Sequence, residues 1–196
     1  MANGTATSEL AGRILKKCKE LNALKFGEFT LASGQISKYY FDGRLLTLSP
    51  EGANLVAQAL LPLVREAGAS AVGGPAVAAV PMVAELAMLS GQDGGPPIDG
   101  FFVRAQAKDH GMGKTIEGPV QQGVPVVIVD DACSTASSLY LAIEAAEADG
   151  HEVVMVACIL DRNQGGSERL RKDGYNFVAL LEGDSGGNVT VVSNAR

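Results

Sequence analysis

Two stretches of this chain, VPVVIVD at residues 124–130 and VVMVACILD at residues 153–161, are apolar at every position until a closing aspartate. A strand with one wet face alternates polar and apolar residues, whereas a strand covered on both faces does not. These runs therefore mark central strands of a parallel sheet packed between helices. They are too short for membrane spans, which need roughly 18–20 apolar residues. The rest of the chain must supply covering helices and right-handed crossovers.

It does so. Leu10, Ile14, Cys18 and Leu21 recur at helical spacing and form one apolar face, a core or subunit surface rather than a cofactor box. Residues 26–31 and 39–41 read as short strands about a turn at Ser33-Gly34. Ser49-Pro50-Glu51 joins a capping hydroxyl to a proline at the first helical position, opening a helix to Gly68 in which Pro62 is the point of bending. Further strands are predicted at 70–73, 98–103, 124–129, 153–160, 177–181 and 189–192. Helices are predicted at 81–91, 137–149 and 167–172, with turn-rich connectors at 92–97 and 183–188. The expectation is a single α/β domain over residues 1–196, with no internal repeat.

Apolar residues make up 46% of the chain and charged residues 19%, which suits a packed globule rather than a disordered chain. A net charge of -6 argues against a large nucleic-acid footprint, so an anionic ligand would need a local basic cluster. Cys18, Cys133 and Cys158 are odd in number and show no paired spacing, as expected of reduced thiols rather than disulfides or a zinc site. Residues 1–8 are small and polar, without the pattern of a leader. The expectation is a soluble cytoplasmic protein with no membrane partner.

In an open parallel sheet, ligands bind at the carboxyl ends of the strands. Four strands here end in unusual residues: Gly73-Gly74-Pro75, Arg104 with the residues after it, Asp130-Asp131, and Asp161-Arg162. The segment VVIVDDACSTASS at 126–138 is the most informative. Amides and hydroxyls at a helix N-terminus suit a phosphate, and a carboxylate pair suits the vicinal hydroxyls of a sugar. The competing explanation is acids ending a strand, with serines merely capping the next helix. The stretch FVRAQAKDHGMGKTIEG at 102–118 holds Arg104, Lys108, His110 and Lys114. Such a run is either a solvated loop or a basic lid that closes over a polyphosphate. His151 reads as incidental, and Cys133 as a small packed thiol.

VVIVDDACSTASS resembles the phosphoribosyl pyrophosphate motif of type I phosphoribosyltransferases. The segment at 102–118 resembles the catalytic loop of the orotate phosphoribosyltransferases within that family, with Ala105 standing where lysine is usual. FGEFTLASGQISKYYFDGR at 26–44 is similar to the family's hood over orotate, and the hood as a whole would come mainly from residues 1–45. GGPAVAA at 73–79 is similar to its pyrophosphate loop, which often holds a cis peptide bond. LDRNQGG at 160–166 is similar to its Asp-Arg segment. Ala78, Ala79 and Ala136 replace polar residues or glycine common in relatives, and Ala32 a lysine found in some.

This resemblance implies a type I phosphoribosyltransferase fold and transfer of phosphoribose to orotate, giving orotidine 5′-phosphate and pyrophosphate for pyrimidine biosynthesis. It implies catalytic roles for Arg104, Lys108, His110, Asp130 and Asp131. The same residues, with Ala132, Cys133, Ser134, Thr135, Ala136, Ser137 and Ser138, would bind phosphoribosyl pyrophosphate. Ser134, Arg162, Tyr39 and Tyr40 would receive orotate. It further implies Mg²⁺ held by substrate and water, with no dedicated protein ligand, and a homodimer whose catalytic loop crosses between subunits. Two rival functions remain: a phosphoribosyltransferase for another base, and a non-catalytic sensor of nucleotide or phosphoribosyl pyrophosphate. Arg162 argues against the first, because a purine has no carboxylate. The alanines at 78, 79, 105 and 136 favour the second, whereas Asp130, Asp131, Lys108 and His110 oppose it.

Overall fold

The computed structural model describes residues 2–30, 36–105 and 115–192. The chain runs α1 (Ala2–Glu20), β1 (Leu24–Thr30), β2 (Ile36–Phe41), α2 (Gly43–Thr47), α3 (Pro50–Glu66), β3 (Ala71–Pro75), α4 (Val80–Ser90) and β4 (Asp99–Val103). It continues with β5 (Ile116–Glu117), β6 (Pro125–Cys133), α5 (Ser137–Ala148), β7 (Glu152–Asp161), α6 (Gly166–Lys172), β8 (Phe177–Gly183) and β9 (Val189–Val191). The sheet order is β5-β4-β3-β6-β7-β8-β9, parallel throughout except for the two edge strands β5 and β9.

Both faces of this sheet are covered, as the apolar runs require. Val127, Val129, Met155, Ala157 and Ile159 pack into a core with residues of α1, α3 and α4. Their neighbours Val126, Ile128, Val156 and Cys158 pack with Leu139, Ala142, Ile143 and Ala146 of α5 on the other side. Alternate side chains of one strand thus enter two separate cores, because successive Cβ atoms point to opposite faces. No described helix is long and apolar enough to cross a membrane.

The predicted helix starts are present in detail. Ser49 caps α3 by accepting from the Gly52 amide at 3.1 Å, with Pro50 in the first turn. Gly68, Gly150 and Gly174 follow α3, α5 and α6 with positive φ, the glycine-favoured conformation at a helix end. Ile14 and Cys18 of the first helical stripe are fully buried, so that face is core.

Three points differ from the sequence reading. The strand expected at 124–129 continues to Cys133, because β7 pairs with it as far as Cys133 opposite Asp161; Asp130 and Asp131 thus lie within the strand. Two short elements, α2 and β5, were not predicted. Neither is long enough to display a hydrophobic period. Tyr39 and Tyr40, expected to line one hood, lie on opposite faces of β2. Ser37, Tyr39 and Phe41 are buried, while Lys38 and Tyr40 are exposed, the period-two pattern of a strand with one covered face. The turn expected at Ser33-Gly34 lies outside the described residues.

Candidate active site

Strand order reverses between β3 and β6, with β4 on one side of the pair and β7 and β8 on the other. The β3–β6 ladder ends at Gly73 opposite Ile128, Gly74 still lies close against the Val129 carbonyl, and beyond them the carboxyl ends of the strands form the switch-point crevice that such sheets use for ligands. Asp130 and Asp131 stand at that opening.

Their alternation sends the two carboxylates in different directions. Asp130 follows Val126 and Ile128 toward α5, where its Oδ2 accepts from the Ser138 hydroxyl at 2.7 Å. Its Oδ1 accepts from the Asp131 amide at 2.9 Å. Asp131 follows Val127 and Val129 toward α2, where its carboxylate accepts from the Gly43 amide. A Cβ on Gly43 would lie 2.5 Å from that of Asp131, so only glycine lets α2 approach this closely. Burial and the neighbouring Asp131 push Asp130 up to about 7, against the pull of the Ser138 hydrogen bond. Burial raises Asp131 as well, while the Ala132 and Gly43 amides pull it down. A buried carboxylate pair whose ionisation burial disfavours gains from a ligand whose hydroxyls donate to both.

The loop after β6 turns sharply into α5. Ala136 is the residue before the helix and adopts the left-handed conformation, with φ 63° and ψ 16°. It offers no side-chain acceptor to the helix, so the first-turn amides of α5 remain available to an anion. The Thr135 and Ser137 hydroxyls, both exposed, lie 2.9 Å apart. Cys133 is fully buried, and burial pushes its thiol up to about 12, which leaves it an inert packed group. Ala132 and Ser134 are half-buried.

The segment after β7 is strapped onto this loop. The Arg162 amide donates to the Cys133 carbonyl at 2.8 Å, and the Gly166 amide to the Ser134 carbonyl at 2.9 Å. A Cβ on Gly166 would sit 2.5 Å from the Ser134 carbonyl oxygen and 2.6 Å from the Ala136 amide nitrogen. The Arg162 side chain crosses to β2, where Nη2 donates to the Tyr39 carbonyl at 3.3 Å and the Ser37 hydroxyl at 3.4 Å. Its Nε has no partner among the described residues.

Of the residues singled out in the sequence, the structure therefore brings Asp130, Asp131, the 132–138 loop, Arg162 and Tyr39 to one end of the sheet. It does not bring Tyr40, which packs against Phe29 at 5.7 Å between ring centroids. Arg104 lies beyond β4 and pairs with Glu117 at 3.2 Å. Lys108 and His110, with Lys114, lie outside the described residues. The bond between Ala76 and Val77 is cis, as the resemblance implied for this loop. Ala79 is fully buried, so its small side chain belongs to the packing beneath that loop. His151 is buried too, stacked on Phe101, with Nδ1 3.2 Å from the Val124 carbonyl oxygen. Gly43, Ser37 and Gly166 escaped sequence reasoning. Only Ser37 carried a signal, being two residues before Tyr39 and so on the same strand face.

No protein-family model matches this chain. The orotate phosphoribosyltransferase of Rhodopirellula baltica is 42% identical over 186 residues, covering 92% of this chain and 95% of the relative. The Mycobacterium tuberculosis H37Rv orotate phosphoribosyltransferase, solved in complex with inorganic phosphate, superposes with a TM-score of 0.73 at 30% identity, covering 91% of this chain and 96% of that one. The same enzyme in complex with 5-phospho-alpha-D-ribosyl 1-diphosphate gives a TM-score of 0.70 at 30% identity over 90% and 95% of the two chains. With this similarity along nearly its whole length, and a mostly parallel sheet opening at the β3–β6 crevice, the chain belongs to the orotate phosphoribosyltransferases, pentosyltransferases of pyrimidine biosynthesis with the type I phosphoribosyltransferase fold.

Proposed function

We propose that this chain performs the family reaction in the crevice between β3 and β6, displacing pyrophosphate from ribose C1 by orotate N1. The observation that carries this placement is the meeting of the Asp130-Asp131 pair with the uncapped first turn of α5. The carboxylates would accept the two ribose hydroxyls, and the amides and hydroxyls of residues 134–138 would hold the 5′-phosphate. Arg162 would receive the orotate carboxylate, with Ser134 and Tyr39 beside it. A guanidinium presents paired donors that match a carboxylate, and its Nε is uncommitted among the described residues. The C1–O bond breaks as N1 bonds to C1, with positive charge on the ribose ring in between and no covalent enzyme intermediate. Acceleration would then come from holding N1 and C1 in line and from stabilising the departing pyrophosphate.

That stabilisation falls to Arg104, Lys108 and His110. Arg104 would have to exchange its Glu117 partner for pyrophosphate oxygens. Among the described residues, no three His, Cys, Asp or Glu side chains converge as a metal cage. The resemblance implies Mg²⁺ carried in on diphosphate oxygens and water, the coordination that ion favours. Bound there, it would neutralise part of the diphosphate charge. A homodimer that shares the loop at 104–118 between subunits completes the reading, and the resemblance of that segment supports it.

The test monitors orotate consumption by absorbance with phosphoribosyl pyrophosphate and Mg²⁺, beside sedimentation to read the oligomeric state. Conversion to orotidine 5′-phosphate that is lost in Asp131→Asn and in Arg162→Ala is the expected result. Tight binding of phosphoribosyl pyrophosphate without turnover would instead identify a sensor, and turnover with a purine base would reassign the substrate.

A further inference from the structure

The resemblance groups Ser138 with the phosphate loop, yet its hydroxyl is already committed. Ser138 Oγ donates to Asp130 Oδ2 at 2.7 Å. A serine hydroxyl carries a single proton, so one given to Asp130 is not available to a phosphate oxygen. Only the backbone of Ser138 is left for that task. Asp130 is 4% exposed and accepts one protein hydrogen bond on each oxygen, from Ser138 and from the Asp131 amide. Two contacts on different oxygens fix both the position and the plane of the carboxylate. Each oxygen still has a second acceptor direction for a ligand hydroxyl.

We propose that Ser138 is a positioning residue that acts through Asp130, tying the ribose-binding carboxylate to the first turn of α5 so that sugar and 5′-phosphate are received at one fixed separation. This rests on the reading of Asp130 as a ribose ligand. The surroundings make the tie consequential. Asp131 on the same strand repels a second negative charge, and burial disfavours one. On β7 and at the end of β6, the Cys158 and Cys133 thiols are pushed up and stay neutral. Asp161 at the end of β7 adds a further acid that acts on both thiols. The neighbouring strand β3 has no ionisable side chain, and the Asp42 and Arg44 pair at the start of α2 acts on Asp131 instead. Ser138 is thus the side chain that favours the ionised form of Asp130, the form that accepts from a ribose hydroxyl.

Three measurements on the wild type, Ser138→Ala and Ser138→Thr test this. The first is kcat/KM for phosphoribosyl pyrophosphate against pH at saturating orotate and Mg²⁺, which reports groups of the enzyme form that receives phosphoribosyl pyrophosphate. The second is the ¹³C-carboxylate titration of Asp130 by NMR, assigned with Asp130→Asn, which needs no turnover. The third is calorimetric binding of inorganic phosphate. In Ser138→Ala, the acid limb and the Asp130 titration should both move to higher pH by about half a unit or more. KM for phosphoribosyl pyrophosphate should rise about tenfold, while phosphate affinity stays within about twofold, as expected for a hydroxyl that does not touch it. Ser138→Thr, which keeps the hydroxyl, should restore all three. An unmoved Asp130 titration overturns the proposal, whether phosphate affinity falls (the hydroxyl then serves phosphate) or not (it then serves neither). If the titration moves but the wild type shows no turnover, the tie to Asp130 stands and the transferase reading falls.

Discussion

The Arg162 guanidinium lies over the Tyr39 ring, 5.0 Å from its centroid, and joins two residues 123 positions apart in the chain. It also contacts the main chain of the same strand, so Arg162 connects the parallel sheet to the separate β1–β2 hairpin. These contacts hold the hairpin against the sheet, and on the proposed reading the remaining guanidinium donors would meet the base.

Arg162→Ala should therefore weaken orotate far more than phosphoribosyl pyrophosphate. Loss of a charge-assisted pair corresponds to about 1.5–3 kcal/mol, or roughly a tenfold to hundredfold weakening. Titrating each ligand separately by calorimetry reads this directly. Equal losses for both ligands would mean that Arg162 acts only by holding the hairpin.

Ala136 occupies a conformation that favours glycine, with φ 63°. An L-residue there is strained by about 1–2 kcal/mol, part of which is regained as chain freedom when glycine unfolds. Ala136→Gly is expected to stabilise the protein by about 0.5–1 kcal/mol, offset slightly by the loss of a buried methyl. Urea unfolding at equal m-values measures it. A clear loss of stability would show that the methyl contact outweighs the backbone strain.

Glu85, on the helix after the cis peptide, is 9% exposed, and its Oε2 has no partner among the described residues. Burial pushes its carboxyl from the ordinary 4.5 up to about 8. The folded state therefore holds a proton that the unfolded state releases, and stability falls as pH rises from about 4.5 through about 8. Glu85→Gln should flatten that decline, gaining on the order of 3 kcal/mol at the alkaline end relative to wild type. Thermal melts from pH 5 to roughly 9 show the difference. Parallel curves for the two proteins would place the pH dependence elsewhere, with Asp130 the next group to vary.

Ala105 stands where the family's loop has lysine. If that loop neutralises the departing pyrophosphate, Ala105→Lys should raise kcat with little change in either Michaelis constant. A full transition-state contact is worth about 2.7–4 kcal/mol, so a gain of about a hundred- to a thousandfold is the upper limit. Lys108→Ala should lose turnover by a comparable factor. Steady-state kinetics of the three proteins decide it, and a Lys108→Ala enzyme as fast as wild type would remove this loop from catalysis.

The architecture was legible because it rests on local rules. Strands 124–130 and 153–161 carry no polar residue before their aspartates, so they had to be covered on both sides. Ser49-Pro50 marked a helix start with the chemistry that caps it. Asp130, Asp131 and the hydroxyl run after them marked a sugar-phosphate site, because those groups are consecutive in the chain. What the chain order could not convey is which face each residue meets. Period-two alternation sends Asp130 to Ser138 on α5 and Asp131 to Gly43 on α2, and sets Tyr39 toward Arg162 but Tyr40 away from it. Gly43 lies 88 positions before Asp131, Ser37 lies 125 before Arg162 and Gly166 lies 32 after Ser134, and they are brought in through backbone contacts and a single hydroxyl. Close backbone approach leaves no hydrophobic period or charge pattern in a sequence. The sequence alone therefore determined which groups follow one another along the chain, and only the packing of α2, α5 and the β7–α6 segment around the open end of β6 decided which of them meet and how they are held.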